Sequence, residues 1–107
     1  VSDQIGTPTN AFDLAKVILD ILPKIKNNNV QIFHFSNNGQ CSWLEFADLI
    51  FKLKNIKLKL IPIKTDEYPT IAKRPSYSVL DKTLIKNTFN LKIPNWEESL
   101  TNTINYL

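Results

Sequence analysis

Methionine is absent from all 107 residues, and cysteine, histidine and glycine are scarce at one, one and two copies. Without methionine the chain is expected not to be a complete primary translation product. Its first residues, Val1 to Gly6, read as the middle of a folded protein entering a short strand, so a C-terminal fragment of a larger protein is expected. One cysteine, Cys41, excludes an internal disulfide and fits a reducing cytoplasm. With only Gly6 and Gly39, no Gly-x-Gly-x-x-Gly turn exists, and the usual cradle for a dinucleotide pyrophosphate is excluded. No apolar run approaches the ~18 residues needed to cross a bilayer. No basic segment followed by an apolar one opens the chain, so no signal peptide is read.

What is present suits one domain with a modest core, since 43% of residues are apolar. The net charge of +3 comes from lysines scattered among Asn, Ile and Leu, with no arginine cluster interleaved with aromatics. A solvated surface explains it better than a nucleic-acid footprint. Lys57 and Lys59 alternate with Leu58 and Leu60, which puts both lysines on the wet side of a strand.

Helical spacing of Ala11, Leu14, Ala15, Ile18 and Leu22 predicts a first helix, capped by Thr9 or Asn10 and stopped by Pro23. A polar connection at Lys26 to Asn29 precedes Val30 to Ser36, a β-branched and aromatic run suited to a buried strand. Asn37-Asn38-Gly39 makes a turn. Ser42 and Glu45 form a capping box for a helix through Phe46, Ala47, Ile50 and Leu53 to about Lys54. Leu58 to Ile63 follows as an edge strand, because Pro62 cannot donate to a ladder. Periodicity fails from Lys64 to Ser78. Asp81 then starts a short helix carrying Leu84, Ile85 and Phe89. Asn95 with Glu98 caps a last one whose face is Trp96, Leu100, Ile104 and Leu107. The class is α/β, helix-rich, with about four helices and a few short strands, too few for a free-standing doubly wound sheet.

Enzyme machinery is nearly absent. His34 sits inside an apolar run and reads as a core histidine rather than a catalytic one. Cys41 has no second cysteine and no histidine close in sequence, so neither a metal site nor a thiolate nucleophile is supported. Asp66-Glu67 reads as a solvated pair rather than a metal site. Two stretches remain. Gly6, Thr7, Pro8 and Thr9 precede a helix N-terminus, where amides, hydroxyls and the helix dipole favour an anion or a sugar hydroxyl. A plain capped turn is the stronger reading on residue types alone. Arg74, held extended by Pro75, suits bidentate contact with phosphate, and a structural role bonding loop carbonyls balances that reading.

Taken in order, Asp3-Gln4-x-Gly6-Thr7-Pro8-Thr9 is followed by the helix of Asp13-Leu14-Ala15. Then come His34-Phe35-Ser36 and Gly39-x-Cys41-Ser42-Trp43-x-Glu45-Phe46-Ala47, Glu67-Tyr68-Pro69-Thr70-x-Ala72-x-Arg74-Pro75-x-x-Ser78-x-Leu80-Asp81, and Ile93-Pro94-x-Trp96-x-Glu98-x-Leu100. From Asp3 to Leu100 this resembles the dTDP-4-dehydrorhamnose reductase family of extended short-chain dehydrogenases/reductases. The resemblance implies NADPH reduction of the 4-keto group of dTDP-4-dehydro-6-deoxy-L-mannose to dTDP-L-rhamnose, in the cytoplasm, for cell-surface polysaccharide. It covers only the C-terminal, substrate-binding part, residues 1–107. The N-terminal Rossmann domain, with the NADPH site and a Tyr-x-x-x-Lys catalytic pair, is absent from this chain. The fragment is therefore expected to bind no cofactor and to hold no catalytic residue or metal.

By the same resemblance Gly6, Thr7, Pro8, Thr9 and Arg74 lie near the sugar-nucleotide cleft. Arg74 offsets the diphosphate charge there, and Thr7 or Thr9 bonds sugar or base. The partners implied are the dTDP-sugar and the missing Rossmann domain, with neither nucleic acid nor membrane. The strand at Ile32 to Phe35 would extend the Rossmann sheet, and without it the open edge would pair with a second copy, giving a homodimer. Two alternatives share the motifs in part. One is a non-catalytic relative such as the regulatory subunit of methionine adenosyltransferase; the other is a different extended nucleotide-sugar reductase or epimerase.

Overall fold

Side-chain caps set where the helices begin. The computed structural model describes residues 1–26 and 29–107, so Asn27 and Asn28 of the expected polar connection lie outside the described residues. Helix α1 (Ala11–Ile21) is capped by Asn10, whose side chain accepts from the N–H groups of Phe12 and Asp13. Of the two expected caps, Asn10 is the one used. A 3-10 turn at Leu22–Lys24, with Pro23 inside it, ends the run. Helix α2 (Trp43–Leu53) opens on the expected capping box: Ser42 Oγ accepts from Glu45 N, and Glu45 Oε2 accepts from Ser42 N at 2.7 Å. Just beyond the C-cap at Lys54, Asn55 turns left-handed at φ 54°. Helix α3 (Thr83–Phe89) starts where Asp81 Oδ1 accepts from Thr83 N and ends on Asn90 at φ 52°. Helix α4 (Trp96–Tyr106) is capped by Asn95, which accepts from Glu97 N.

Strand pairing is minimal. Strands β1 (Ile5–Gly6) and β2 (Cys41–Ser42) run antiparallel, with Ile5 opposite Ser42 and Gly6 opposite Cys41. A parallel bridge from Ile5 to Tyr77 adds the end of the long loop to this ribbon. The two longer strands expected from sequence do not form ladders. Residues 58–63 form no strand; Leu58 N turns back to the Ile56 carbonyl, and Ser2, through its backbone N and Oγ, donates to the Ile63 carbonyl. Residues 32–35 keep a strand's alternation without its hydrogen bonds. Phe33 and Phe35 turn inward against the core, while Val30, Ile32 and His34 are exposed. His34 is thus not a core histidine. The physical reason is the same for both segments: a strand needs a run of hydrogen bonds to a neighbouring backbone, and among the described residues neither segment has one.

The core is small. Val17, Ile85, Phe89 and Ile93 form its centre, with Ile21, Phe33, Phe35 and Leu91 packed around them and Phe33 edge-on to Phe89 at 5.1 Å. On α1 the expected face is the wrong one, since Ala11, Leu14, Ala15 and Ile18 are exposed and Val17 is buried. Leu84 on α3 and Leu107 at the end of α4 are likewise exposed. In their place α4 buries Ser99, part of a polar junction centred on Asn37, which has no exposed surface. Asn37 Oδ1 accepts from Asn10 N at 2.7 Å, and its Nδ2 donates to Asp13 Oδ2 and Ser99 Oγ. Its neighbour Asn38 bonds Pro94 and Trp96 through the backbone. Gly39 follows at φ 82°, where an added Cβ would meet Asn95 and Trp96 atoms at 3.0 Å. The expected turn is therefore the joint between α1 and α4.

Candidate functional site

The β1–β2 ribbon fixes one wall of the principal cleft, and the loop end fixes another. Ile5 N donates to the Ser76 carbonyl at 2.8 Å, Ser78 N donates to the Ile5 carbonyl at 2.9 Å, and the Tyr77 hydroxyl reaches Gln40 Oε1. These contacts hold the chain alongside β1 and leave Arg74 and Pro75 at the cavity edge. The space enclosed is about 480 Å³, within the usual range for small-molecule sites. Gly6, Thr7, Pro8, Thr9 and Arg74 all line it. Residues separated by nearly seventy positions are thereby brought together.

Each plays a definable local part. Gly6 is extended ribbon rather than a flexible hinge, and what it provides is room: a Cβ there would lie 2.9 Å from Ser78 Oγ. Thr7 donates its hydroxyl proton to the Gly39 carbonyl at 2.7 Å, so towards a ligand it is left as an acceptor. Thr9 is exposed. The anion site expected at the α1 N-terminus is already filled: Asn10 takes the Phe12 and Asp13 amides, and the Asp13 carboxylate lies in the first turn. Arg74 is exposed and enters no ion pair among the described residues. It is the cationic side chain of the lining, so a ligand's negative charge has one clear destination.

The remaining wall was not marked by sequence reasoning as a site. Trp43 and Phe46 project from the first turns of α2 beside Cys41 and Ser42. The signal was present, since Trp43 lies in the Gly39-to-Ala47 motif, but a helical aromatic is also an ordinary core residue. Burial, then the Glu45 and Glu97 carboxylates, push the Cys41 thiol up to about 11, so it is protonated at neutral pH and no nucleophile. The hydrogen bonds from the Ser42 backbone and hydroxyl hold the Glu45 carboxyl below its usual range. Elsewhere, Asp66 and Glu67 are exposed, Glu67 accepting from Lys64 N. No group of three or more His, Cys, Asp or Glu side chains converges among the described residues. Nor do the residues fit a dinucleotide: Gly6 is paired to Cys41, and Gly39 is packed under Trp96. Among the described residues no helix is long and apolar enough to cross a membrane.

The chain is similar to known proteins of one family. The family model of the RmlD substrate binding domain matches residues 1–107. A dTDP-4-dehydrorhamnose reductase of Sinorhizobium fredii is 36% identical over 107 residues, covering 92% of this chain and 36% of the relative. A crystal structure of a dTDP-4-dehydrorhamnose reductase orthologue from Clostridium acetobutylicum superposes with a TM-score of 0.90 at 42% identity, covering 99% of this chain and 37% of that one. One from Bacillus anthracis, in complex with NADP, gives 0.89 at 35% identity, covering 99% and 37%. The chain thus spans little more than a third of the length of these relatives. It belongs to the RmlD substrate-binding domain family.

Proposed function

We propose that this domain is the sugar-nucleotide-binding part of a longer cytoplasmic reductase that uses NADPH to convert dTDP-4-dehydro-6-deoxy-L-mannose to dTDP-L-rhamnose. The observation that carries the reading is the cleft, in which an unpaired arginine, a threonine-bearing turn and an aromatic wall meet in a domain of this family. In this reading Arg74 offsets the diphosphate charge, Thr9 bonds sugar or base, and Thr7 accepts from a ligand hydroxyl. Gly6 and Pro8 shape the turn.

Hydride transfer belongs to NADPH, and a separate N-terminal Rossmann domain supplies its site and the proton donor. The faces left bare here support that division. Leu14, Ile18 and Leu19 on α1 and Val30 and Ile32 beyond it are exposed large apolar side chains, suited to cover by that domain. Without it the 107-residue chain is inactive and binds no NADPH, and its unpaired segment at residues 32–35 pairs with a second copy.

The test is NADPH oxidation by the full-length protein supplied with dTDP-4-dehydro-6-deoxy-L-mannose. Turnover with that sugar supports the reading; none, from a folded protein that binds NADPH, overturns it.

A further inference from the structure

Trp43 is 61% exposed at the first position of α2, on the border of the cleft. A large flat apolar ring left in water is an unused binding surface, because burying an aromatic side chain is among the larger single gains available to an interface. The ring is held rather than loose. Phe46 meets it edge to face, with centroids 6.4 Å apart and planes at 81°. Phe46 in turn leans on the buried Trp96 at 5.9 Å. Three aromatics therefore run from the core to the cavity wall, and the outermost keeps most of its surface open.

Charge sorts the rest of the cleft. Beside Trp43 the N-terminus of α2 is closed by Glu45, whose carboxylate accepts from both Ser42 N and Ser42 Oγ. A phosphate gains nothing at an end already neutralised by a carboxylate. Arg74 is the cation of the lining. An anionic group is thus directed to Arg74, and a flat, uncharged one to Trp43.

We propose that Trp43 is the nucleobase platform of the cleft, stacking the pyrimidine of a nucleoside-diphosphate sugar whose diphosphate is held at Arg74. This rests on the nucleotide-sugar reading above and adds a base-binding residue to it. The platform works through its π-face, so an aromatic replacement preserves it and an aliphatic one of similar bulk does not.

The test is calorimetric titration of dTDP into the full-length protein, unaltered and as Trp43→Phe, Trp43→Leu and Trp43→Ala, with melting temperatures checking the fold. Trp43→Leu and Trp43→Ala should weaken dTDP binding about 5- to 150-fold, and Trp43→Phe should stay within a few-fold of the unaltered protein. Should the alanine variant fail to fold, the leucine variant decides alone. Affinity within twofold in Trp43→Leu, or equal losses in the Phe and Leu variants, overturns the stacking while leaving the nucleotide reading intact. An unaltered protein that does not bind dTDP overturns that reading and this inference with it.

Discussion

Glu45 shows how much one side chain decides. Its carboxylate closes the N-terminus of α2 through Ser42, and those hydrogen bonds lower its pKa from an ordinary value near 4.5. A carboxyl whose folded pKa lies below its unfolded one adds stability at every pH above the unfolded value. That stability is lost as pH falls through the folded value. Glu45→Gln should therefore lower the melting temperature at pH 7, by an amount corresponding to about 0.3–1 kcal/mol. The gap to the unaltered protein should close as pH drops below about 4.5. Thermal melts between pH 3 and 7 check this, and a gap independent of pH contradicts it. This cap was legible in the sequence because its signal is local, Ser and Glu three apart. Arg74 was legible as a candidate too. That Thr7 spends its proton on Gly39 was not, since the two are far apart in the chain.

Among the elements, the helices were readable and the two longer strands were not, for one reason. A helix satisfies its backbone within itself, whereas a strand depends on a neighbour. Residues 32–35 have the right alternation, with Phe33 and Phe35 turned inward, yet no ladder. The misread face of α1 has a related origin. Leu14, Ile18 and Leu22 make an apolar stripe at helical spacing, but spacing does not say which stripe meets this chain's core. Nor did the turn signal at Asn37-Asn38-Gly39 reveal that Asn37 ties α1 to α4 through Asn10, Asp13 and Ser99. Asn37→Ala removes the bonds to Asp13 and Ser99, which still bond each other, and leaves the Asn10 N–H without its acceptor, at about 1–3 kcal/mol. Urea unfolding of the full-length protein should show a loss of about 1–3 kcal/mol. A loss below about 0.5 kcal/mol, the scale of ordinary surface substitutions, contradicts the joint.

The whole molecule is elongated. Its extents are 50 × 33 × 20 Å and its radius of gyration is 16.5 Å, against about 13 Å for a compact domain of this length. Among the described residues six apolar side chains are buried, while Phe12, Val30, Ile32 and Ile61 are among many left exposed. That balance suits a unit that completes its burial against more chain. Produced alone, the 107 residues should bind a hydrophobic dye and self-associate on gel filtration. A monomeric, dye-silent chain contradicts this view of its surfaces.

At this scale the proposed role of the cleft, holding the sugar nucleotide of a longer reductase, is tested most sharply at Arg74. Steady-state NADPH oxidation by full-length Arg74→Ala, with dTDP-4-dehydro-6-deoxy-L-mannose varied, measures it directly. Loss of a charged contact of about 1.5–3 kcal/mol predicts a Michaelis constant raised roughly 10- to 150-fold with the melting temperature unchanged. An unchanged Michaelis constant and turnover would contradict it.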